Sequence, residues 1–325
     1  MPFQFARREF LAGMVAMSAA KAASRFAPSS RFNSADGRSP FRVSVINDEI
    51  SQDFGHACEV ASQELGMGWI ELRGMWNKNI VKLDEKEVAE ARRILEKYQL
   101  KVTDIASPLF KVDWPGAPKS KFSEAKSFGA DFTLPQQDEV LERSLDLAKA
   151  FQTDRVRCFD FWRLEDQAPY RAAINDKLRD AAAKAEKKGI ILVLENEPAC
   201  NTATGAESAK VLNAVQSRSF MLNWDPGNAA AQGETPYPDG YNLLPKDRIG
   251  HCHCKDTVKT ANGYDWAPMG GGMIDWLGQF KALKLDGYHF AVSLETHWHG
   301  GGTSEESSRK SWAGMKKLLQ ASDAL

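Results

Sequence analysis

Four short apolar segments in the second half of the chain each end in a residue type that binds divalent metal ions. The four terminal residues are Glu195, Asp225, His253 and Glu295. Three carboxylates and one imidazole form an oxygen-rich ligand set, which suits Mn²⁺ or Mg²⁺ best and also accommodates Co²⁺ or Zn²⁺. An ion held in this way can also activate a sugar-like substrate. The residue types therefore predict one divalent metal ion that acts on a small polyhydroxylated molecule.

These four residues need structural elements that bring them together. Helix-like segments lie between the apolar segments, so the order is strand, helix, strand, helix. In a parallel α/β barrel all strands open at their carboxyl ends onto one face, where the four side chains would meet. Along the last strand, Ala291, Ser293 and Glu295 share one face, while Val292 and Leu294 share the other. Inward ligands with outward apolar residues are typical of a barrel.

The same alternation runs through the first half of the chain. Strand-like segments begin at Phe41, Trp69, Val102 and Arg155, with helix-like segments between them. Eight strands and about eight helices predict a single (β/α)8 TIM barrel over residues 41–325. The alternative is a doubly wound open sheet, which would place a glycine-rich turn after its first strand. Residues 47–51 contain no glycine, so the barrel is preferred.

The amino terminus predicts export. The pair Arg7-Arg8 precedes a short apolar stretch, and Ala20-Lys21-Ala22 offers a small-x-small cleavage site. We expect residues 1–23 to be a twin-arginine signal peptide and residues 24–40, rich in Ser, Pro and Arg, to be a flexible linker. Export by the twin-arginine machinery would deliver the folded protein to the periplasm. The alternative interpretation is a disordered basic tail.

Composition limits the classes of partner. The formal net charge is −1, so the chain lacks the basic field that gathers nucleic acid. Apolar residues make up 43% of the sequence, which supports a substantial core, and no stretch suits a mature transmembrane helix. We expect a small-molecule carbohydrate partner, no nucleic acid and no stable membrane anchor. A homo-oligomer is left open.

Five motifs resemble those of a known family. They are Leu-Glu-Asn-Glu at 194–197, Trp-Asp-Pro-Gly-Asn at 224–228, His-Cys-His-Cys-Lys-Asp at 251–256, Gly-Gly-Gly-Met-Ile-Asp-Trp at 270–276 and Leu-Glu-Thr-His at 294–297. In this order they are similar to motifs of the xylose-isomerase-like barrel superfamily, which includes sugar epimerases, hydroxypyruvate isomerases and inosose dehydratases. The resemblance covers about residues 41 to 323 and does not name a substrate.

The resemblance implies roles for individual residues. Family members bind one divalent metal through the residues that match Glu195, Asp225, His253 and Glu295 here. The two glutamates act from either side of the substrate as proton acceptor and donor, so Glu195 and Glu295 are the expected catalytic residues. A metal that chelates a carbonyl and the neighbouring hydroxyl stabilises the enediolate formed by proton loss next to the carbonyl.

Four further residues are expected to bind substrate: Asn228, His251, Lys255 and Trp266. The lysine follows the histidine-bearing strand, where a cation could bind a substrate oxygen, although a solvated loop lysine is the alternative. The indole face suits the C–H faces of a sugar, although core packing would also explain it. Glu71 and Arg73 end the second strand, where they either form structural ion pairs or reach the substrate.

Three functions remain open. The leading one is a metal-dependent sugar isomerase or epimerase that works by proton transfer through an enediolate on an unphosphorylated carbohydrate. The alternative is a metal-dependent lyase or dehydratase on a keto-sugar, keto-inositol or 3-keto-glycoside. The pair Lys255-Asp256 resembles the dehydratase branch, and residues 199–202 lack the glutamate with which relatives bind free ketohexoses. The third, a non-catalytic carbohydrate-binding barrel, would not need both glutamates.

DNA repair is not expected. The zinc cluster of the related apurinic endonucleases needs histidines on strands two and three, and these strands contain none here.

Overall fold

Eight parallel strands form the centre of the molecule. The computed structural model describes residues 39–123 and 132–325; the expected signal peptide at 1–23 and all but the last residues of the linker at 24–40 lie outside the described residues. In chain order the barrel strands are β1 (Arg42–Val45), β2 (Trp69–Leu72), β3 (Lys101–Leu109), β4 (Arg155–Cys158), β5 (Ile191–Glu195), β6 (Phe220–Trp224), β7 (Ile249–Cys254) and β8 (Ala291–Leu294).

A helix follows each of these strands within the described ranges. The helices are α1 (Phe54–Glu59), α2 (Glu85–Lys97), α3 (Gln137–Ala150), α4 (Arg171–Lys187), α5 (Gly205–Ala214), α6 (Pro226–Ala231), α7 (Trp276–Leu285) and α8 (Ser304–Ala321). A three-residue helix, Tyr241–Leu243, and two short hairpins lie in the connections; the larger hairpin pairs Asp256–Thr260 with Gly263–Ala267. No helix of the described segments is long and apolar enough to cross a bilayer.

The strands form a ring in the order β1-β8-β7-β6-β5-β4-β3-β2, and all neighbouring pairs are parallel. A parallel bridge between Ile46 and Glu71 joins β1 to β2 at the remaining gap. Strictly alternating strands and helices around such a ring define a (β/α)8 barrel. The prediction of a single TIM barrel is therefore confirmed, and the open-sheet alternative is wrong.

Alternation along each strand separates an apolar outer layer from a polar interior. On β8, Val292 and Leu294 are fully buried and belong to the main hydrophobic core. Cys252 and Cys254 of β7 belong to the same core, whereas His253 pairs in register with Ser293. Burial of each aliphatic side chain contributes about 1.5–3 kcal/mol, so the outer layer stabilises the fold and leaves the inner face available for polar groups.

Strand β3 carries a bulge opposite Glu71. Ile70 of β2 pairs with Val102, but Leu72 pairs with Ile105, so β3 has one extra residue in this interval. The side chain of Asp104, within the bulge, is fully buried, and burial together with the nearby carboxylate of Glu71 raises its pKa well above the ordinary value. Bulges redirect single side chains and often occur beside functional sites. This one adds a further carboxyl group to the barrel interior.

The connection after β7 is held by one carboxylate. Asp256 accepts hydrogen bonds from the backbone N–H groups of Gly270, Gly272 and Ile274 at 3.1, 3.1 and 3.2 Å, and from Thr257 at 2.9 Å. A Cβ at Gly272 would lie 2.1 Å from Asp256 Oδ1, so only glycine allows this approach. The glycine-rich motif therefore folds around Asp256 and ties the larger hairpin to the start of α7.

Replacement of Asp256 by alanine should destabilise the barrel. Four backbone N–H groups would lose their acceptor, and those of Thr257 and Ile274 are buried, where a donor without a partner is costly. We therefore expect a loss of about 3 kcal/mol in unfolding free energy. Urea unfolding followed by circular dichroism measures this. Asp265→Ala, in the exposed part of the same hairpin, is the matched control and should change stability by less than about 0.5 kcal/mol. Equal stability of the two variants would contradict the anchoring role of Asp256.

Candidate metal centre

The four residues that end strands β5 to β8 converge at one point. Glu195 is the last residue of β5, His253 lies near the end of β7, and Asp225 and Glu295 directly follow β6 and β8. One ligand atom of each lies within 4.8 Å of those of the other three, and all four residues are buried. The barrel topology thus brings together at its carboxyl face residues that are up to 100 positions apart in the chain.

His253 Nδ1 faces the three carboxylates. It lies 3.5 Å from Glu195 Oε1, 3.7 Å from Asp225 Oδ2 and 3.2 Å from Glu295 Oε2. The nitrogen is buried and has no hydrogen-bond partner among the described residues. Two ligands that each lie about 2.1 Å from a shared ion are separated by roughly 3 to 4 Å. The spacing and the unpartnered nitrogen therefore fit a shared divalent cation.

Positive side chains surround this group. Arg157 Nη1 lies 3.1 Å from Glu195 Oε2, and Arg73 Nη1 donates to Glu295 Oε1 at 3.0 Å. Lys255 Nζ lies 2.8 Å from Asp225 Oδ2 and donates to Glu295 Oε2 at 2.6 Å. Lys255 thus already balances part of the charge of Asp225 and Glu295, so the fit to a divalent cation rests on the ligand spacing and on the unpartnered His253 Nδ1.

The electrostatic environment keeps both glutamates ionised. Burial alone would raise the pKa of Glu195, but the charges of Arg157 and His253 outweigh it and lower that pKa to about 2. Burial likewise opposes ionisation of Glu295, yet Lys255, His297 and His253 hold its pKa well below the ordinary value. The pKa of Lys255 is raised, because the carboxylates of Asp225 and Glu295 outweigh the effect of its burial. At neutral pH the centre therefore contains carboxylates and an ammonium group.

Two asparagines orient the ligands. Asn228 Nδ2 donates to Glu195 Oε1 at 3.2 Å and to the carbonyl of Asn196 at 2.9 Å. Asp225 caps α6 by accepting from the backbone N–H of Asn228 at 2.9 Å. The side chain of Asn196 exchanges two hydrogen bonds of 2.8 Å with the backbone of Asp225. The Trp-Asp-Pro-Gly-Asn motif thus forms the end of β6 and the start of α6, and it holds the carboxylates of Asp225 and Glu195 in fixed positions.

The other three residues expected to bind substrate, Lys255, Trp266 and His251, lie at different depths in the barrel. Lys255 contacts the centre directly, and Trp266 is half-buried with its ring 5.1 Å from Lys255 Nζ. The same ring packs edge-on against His297, with 4.9 Å between ring centroids. His251 is two residues before His253 on β7 and fully buried, with Nε2 at 2.9 Å from Glu71 Oε2. Lys255 and Trp266 therefore border the centre, whereas His251 lies beneath it.

A second acidic group beside the centre already contains a cation. Glu49, Glu295 and His297 offer ligand atoms within 4.8 Å of one another. Arg73 lies between the carboxylates, with Nη2 at 2.6 Å from Glu49 Oε1 and Nη1 at 3.0 Å from Glu295 Oε1. Its guanidinium neutralises them, so this group does not call for a metal ion.

Sequence patterns did not identify three contributors to this site: Arg157, Asn196 and the contact of Glu71 with the histidines. Alternating arginines in Arg155-Val156-Arg157 were the available signal for the first, because charges facing one way on a buried strand need partners. Burial also raises the pKa of Glu71, but His253 and His251 hold it well below the ordinary value. This carboxylate is therefore ionised inside the barrel.

Three solved structures share the fold at low sequence identity. The probable 3-DHS dehydratase AsbF from Bacillus anthracis is 18% identical, with a TM-score of 0.65 over 86% of this chain and 98% of that chain. The IOLI protein, crystallised with a zinc atom, is 15% identical, with a TM-score of 0.67 over 86% and 98% of the two chains. D-allulose 3-epimerase from Methylomonas sp. is 17% identical, with a TM-score of 0.61 over 87% and 98%. At these sequence identities the comparison shows a shared fold only, and both a probable dehydratase and an epimerase have this fold.

A family comparison is more specific than these structures. No curated protein matches the sequence. The model of the family described as xylose isomerase-like TIM barrel matches residues 60–318, which include all four residues of the centre. Because this match spans most of the chain and the barrel has the expected strand order, the protein belongs to the xylose isomerase-like TIM barrel family.

Proposed function

We propose that the protein is a metal-dependent sugar isomerase or epimerase that acts on an unphosphorylated carbohydrate by proton transfer through an enediolate. One observation carries this proposal: two ionised glutamates, Glu195 and Glu295, flank His253 Nδ1 at 3.5 and 3.2 Å. A carbohydrate-binding barrel without catalysis would have no need to hold two charged carboxylates at the same buried point. We accordingly propose Glu195 and Glu295 as the catalytic residues.

The proposed ligands are Glu195, Asp225, His253 and Glu295, with Mn²⁺ or Mg²⁺ favoured by the oxygen-rich set and Co²⁺ or Zn²⁺ acceptable. When bound, the ion would supply Lewis-acid stabilisation of the negative charge that develops on the carbonyl oxygen. One glutamate removes the proton from the carbon next to the carbonyl, and the other returns a proton. Return to the opposite face of the same carbon is epimerisation. Return to the former carbonyl carbon is isomerisation, in which the proton of the neighbouring hydroxyl also passes to the former carbonyl oxygen.

Residues around the centre support a carbohydrate substrate. The half-buried indole of Trp266 lies beside Lys255, and aromatic faces pack well against the C–H faces of sugars. Lys255 itself can donate to a substrate oxygen. The preference for an unphosphorylated sugar rests on the proposed periplasmic location, because sugar phosphates are scarce outside the cytoplasm. Asn228 holds Glu195 by its 3.2 Å hydrogen bond and so would act on the substrate through that carboxylate.

A lyase or dehydratase acting on a keto-sugar, keto-inositol or 3-keto-glycoside is the second candidate. The observation that favours it is Lys255, whose ammonium donates to Glu295 Oε2 at 2.6 Å and could assist the departure of a leaving group. Elimination begins with the same proton removal as isomerisation and then expels a group from the adjacent carbon. The fold likeness to a probable 3-DHS dehydratase is compatible with this chemistry.

Loss of a proposed ligand should release the metal without unfolding the barrel. Asp225→Asn keeps a side-chain oxygen that can cap α6, and in His253→Gln the new side chain is close in size to the histidine. Each variant should bind the metal at least about tenfold more weakly than the unmodified protein. Metal content after dialysis is measured by atomic emission spectrometry, and circular dichroism monitors folding. Asp138→Asn, on the exposed face of α3, is the control and should retain the metal. Full metal content in both site variants would refute the ligand assignment.

The reaction class can be determined by isotope exchange. Metal-loaded protein is incubated in D₂O with a panel of sugars and keto-sugars and followed by NMR. Deuterium next to the carbonyl with an unchanged formula indicates isomerisation or epimerisation, whereas loss of water or of an aglycone indicates the lyase. Absence of exchange with every compound, in protein shown to contain metal, would favour the binding protein.

Glu295→Gln should abolish either activity. At saturating metal we expect the rate to fall at least about 100-fold, because the proton donor or acceptor is lost, while substrate affinity stays within about one order of magnitude. Glu186→Gln, exposed on α4, is the matched control and should turn over normally. Normal turnover by Glu295→Gln would contradict the mechanism.

Export is the remaining proposal. We expect the twin-arginine pathway to carry the protein to the periplasm, so replacement of both Arg7 and Arg8 by lysine should retain it in the cytoplasm. Cell fractionation followed by immunoblotting measures the distribution. Replacement of Arg25 and Arg31 by lysine, in the expected linker, is the control. An unchanged periplasmic yield of the Arg7/Arg8 variant would count against this route.

A further inference from the structure

Glu71 lies inside the barrel and contacts both histidines of β7. It is fully buried on β2, and it lies 180 and 182 residues from its two partners. Glu71 Oε2 is 2.9 Å from His251 Nε2, and Glu71 Oε1 is 3.0 Å from His253 Nε2. One carboxylate therefore spans two imidazoles that face the same way on one strand.

This geometry determines where the histidines carry their protons. Each oxygen of Glu71 lies at hydrogen-bond distance from one Nε2 atom, at 2.9 and 3.0 Å, and a carboxylate in such a symmetrical bridge accepts from both, so the Nε2 atoms of His251 and His253 are the donors. Metal binding requires a neutral imidazole, and when its remaining proton lies on Nε2 the free lone pair lies on Nδ1. The lone pair of His253 is then on the nitrogen that faces Glu195, Asp225 and Glu295 at 3.2–3.7 Å.

Asn223 fits the same assignment once its side-chain amide is turned. Its side-chain amide lies on β6 with Nδ2 at 3.1 Å from His253 Nε2, and its Oδ1 has no partner among the residues that the structure describes. A protonated Nε2 cannot accept from an amide N–H. Rotation of the amide by half a turn exchanges its oxygen and nitrogen, gives Oδ1 a donor, and removes the conflict.

We propose that Glu71 is a positioning residue that holds His253 in the tautomer and orientation needed for metal binding through Nδ1. His251 contributes by engaging the second carboxylate oxygen, so that Glu71 is fixed at both ends. Carboxylates that orient a metal-binding histidine in this way commonly strengthen metal affinity by about 10- to 100-fold. The inference rests on the metal site of the proposed function, but it does not depend on which reaction that site catalyses.

Asp104 offers a matched comparison. It lies on β3 next to Glu71 and is also fully buried, and the charges of Glu71, Arg157 and His253 act on its carboxyl group. Neither of its carboxyl oxygens has a hydrogen-bond partner in the described part of the chain, so it holds neither histidine. Exchange of a carboxyl group for an amide at Asp104 therefore changes the same interior without touching the proposed interaction.

The first experiment uses the unmodified protein. NMR of ¹⁵N-labelled protein, with six histidines in all, is recorded metal-free and after loading with Zn²⁺. We expect an Nε2-bound proton on both His251 and His253 in each state, with Zn²⁺ on His253 Nδ1. A proton on Nδ1 alone of His253, or Zn²⁺ on its Nε2, would overturn the proposal. If Zn²⁺ does not bind at all, the proposed metal site fails, while the metal-free spectrum still tests the Glu71 contacts.

The second experiment compares variants. Glu71→Gln leaves one acceptor oxygen and adds an N–H₂ group, so one histidine must lose its Nε2-bound proton and Zn²⁺ affinity should fall about 10- to 100-fold. Asp104→Asn should keep both Nε2-bound protons and bind Zn²⁺ within about threefold of the unmodified protein. Titration calorimetry measures affinity, and NMR reads the protons. Equal loss of affinity in both variants, or an unchanged pattern of protons in Glu71→Gln, would show that Glu71 does not act by orienting His253.

Discussion

The concentration of carboxylates inside the barrel is the constraint on which the rest of the site depends. Glu71, Glu195, Asp225 and Glu295 are all removed from solvent, and an isolated buried charge is very costly. The cost is offset by Arg73, Arg157, Lys255 and the two histidines of β7, each of which contacts at least one of these carboxylates. A divalent cation bound between Glu195, Asp225 and Glu295 would neutralise further negative charge in the same way.

The barrel can tolerate this polar interior because its stability comes from elsewhere. Outward residues such as Val292 and Leu294 pack in the hydrophobic core, where apolar burial stabilises the fold without help from the site. At the opposite end of the strands, the guanidinium of Arg155 stacks on Phe290 at 4.0 Å and donates to the carbonyl of Gly250 at 2.8 Å. The carboxyl ends of the strands are therefore free to carry charged groups that would be unfavourable in an ordinary core.

The reaction would be decided by few groups. Isomerisation, epimerisation and elimination all begin with the removal of a proton next to a carbonyl, for which Glu195 and Glu295 are placed alike. They differ in what happens at the neighbouring carbon, so a cation such as Lys255 and the shape set by Trp266 would select among them. Fold relatives include both a probable dehydratase and an epimerase, so the fold by itself does not name the reaction.

The strand order and the meeting of Glu195, Asp225, His253 and Glu295 could be predicted from local patterns. Period-two alternation indicates which residues of a strand face inward, and parallel strands open at one face, so the convergence followed without any knowledge of distances. A helix cap likewise depends only on neighbouring residues: the side chain of Thr303 accepts from the N–H of Glu306, three positions further along the chain.

Contacts across the barrel had no such local signature. Glu71 meets His251 and His253 from 180 and 182 residues away, and this contact depends on the closure of the ring. Arg157 meets Glu195 on the neighbouring strand, and this contact depends on the register between β4 and β5. The bulge that aims Asp104 inward shifts the register of β3, which period-two alternation cannot anticipate. Periodicity along the chain determines which way a side chain points, whereas the folded ring alone determines which side chain it meets.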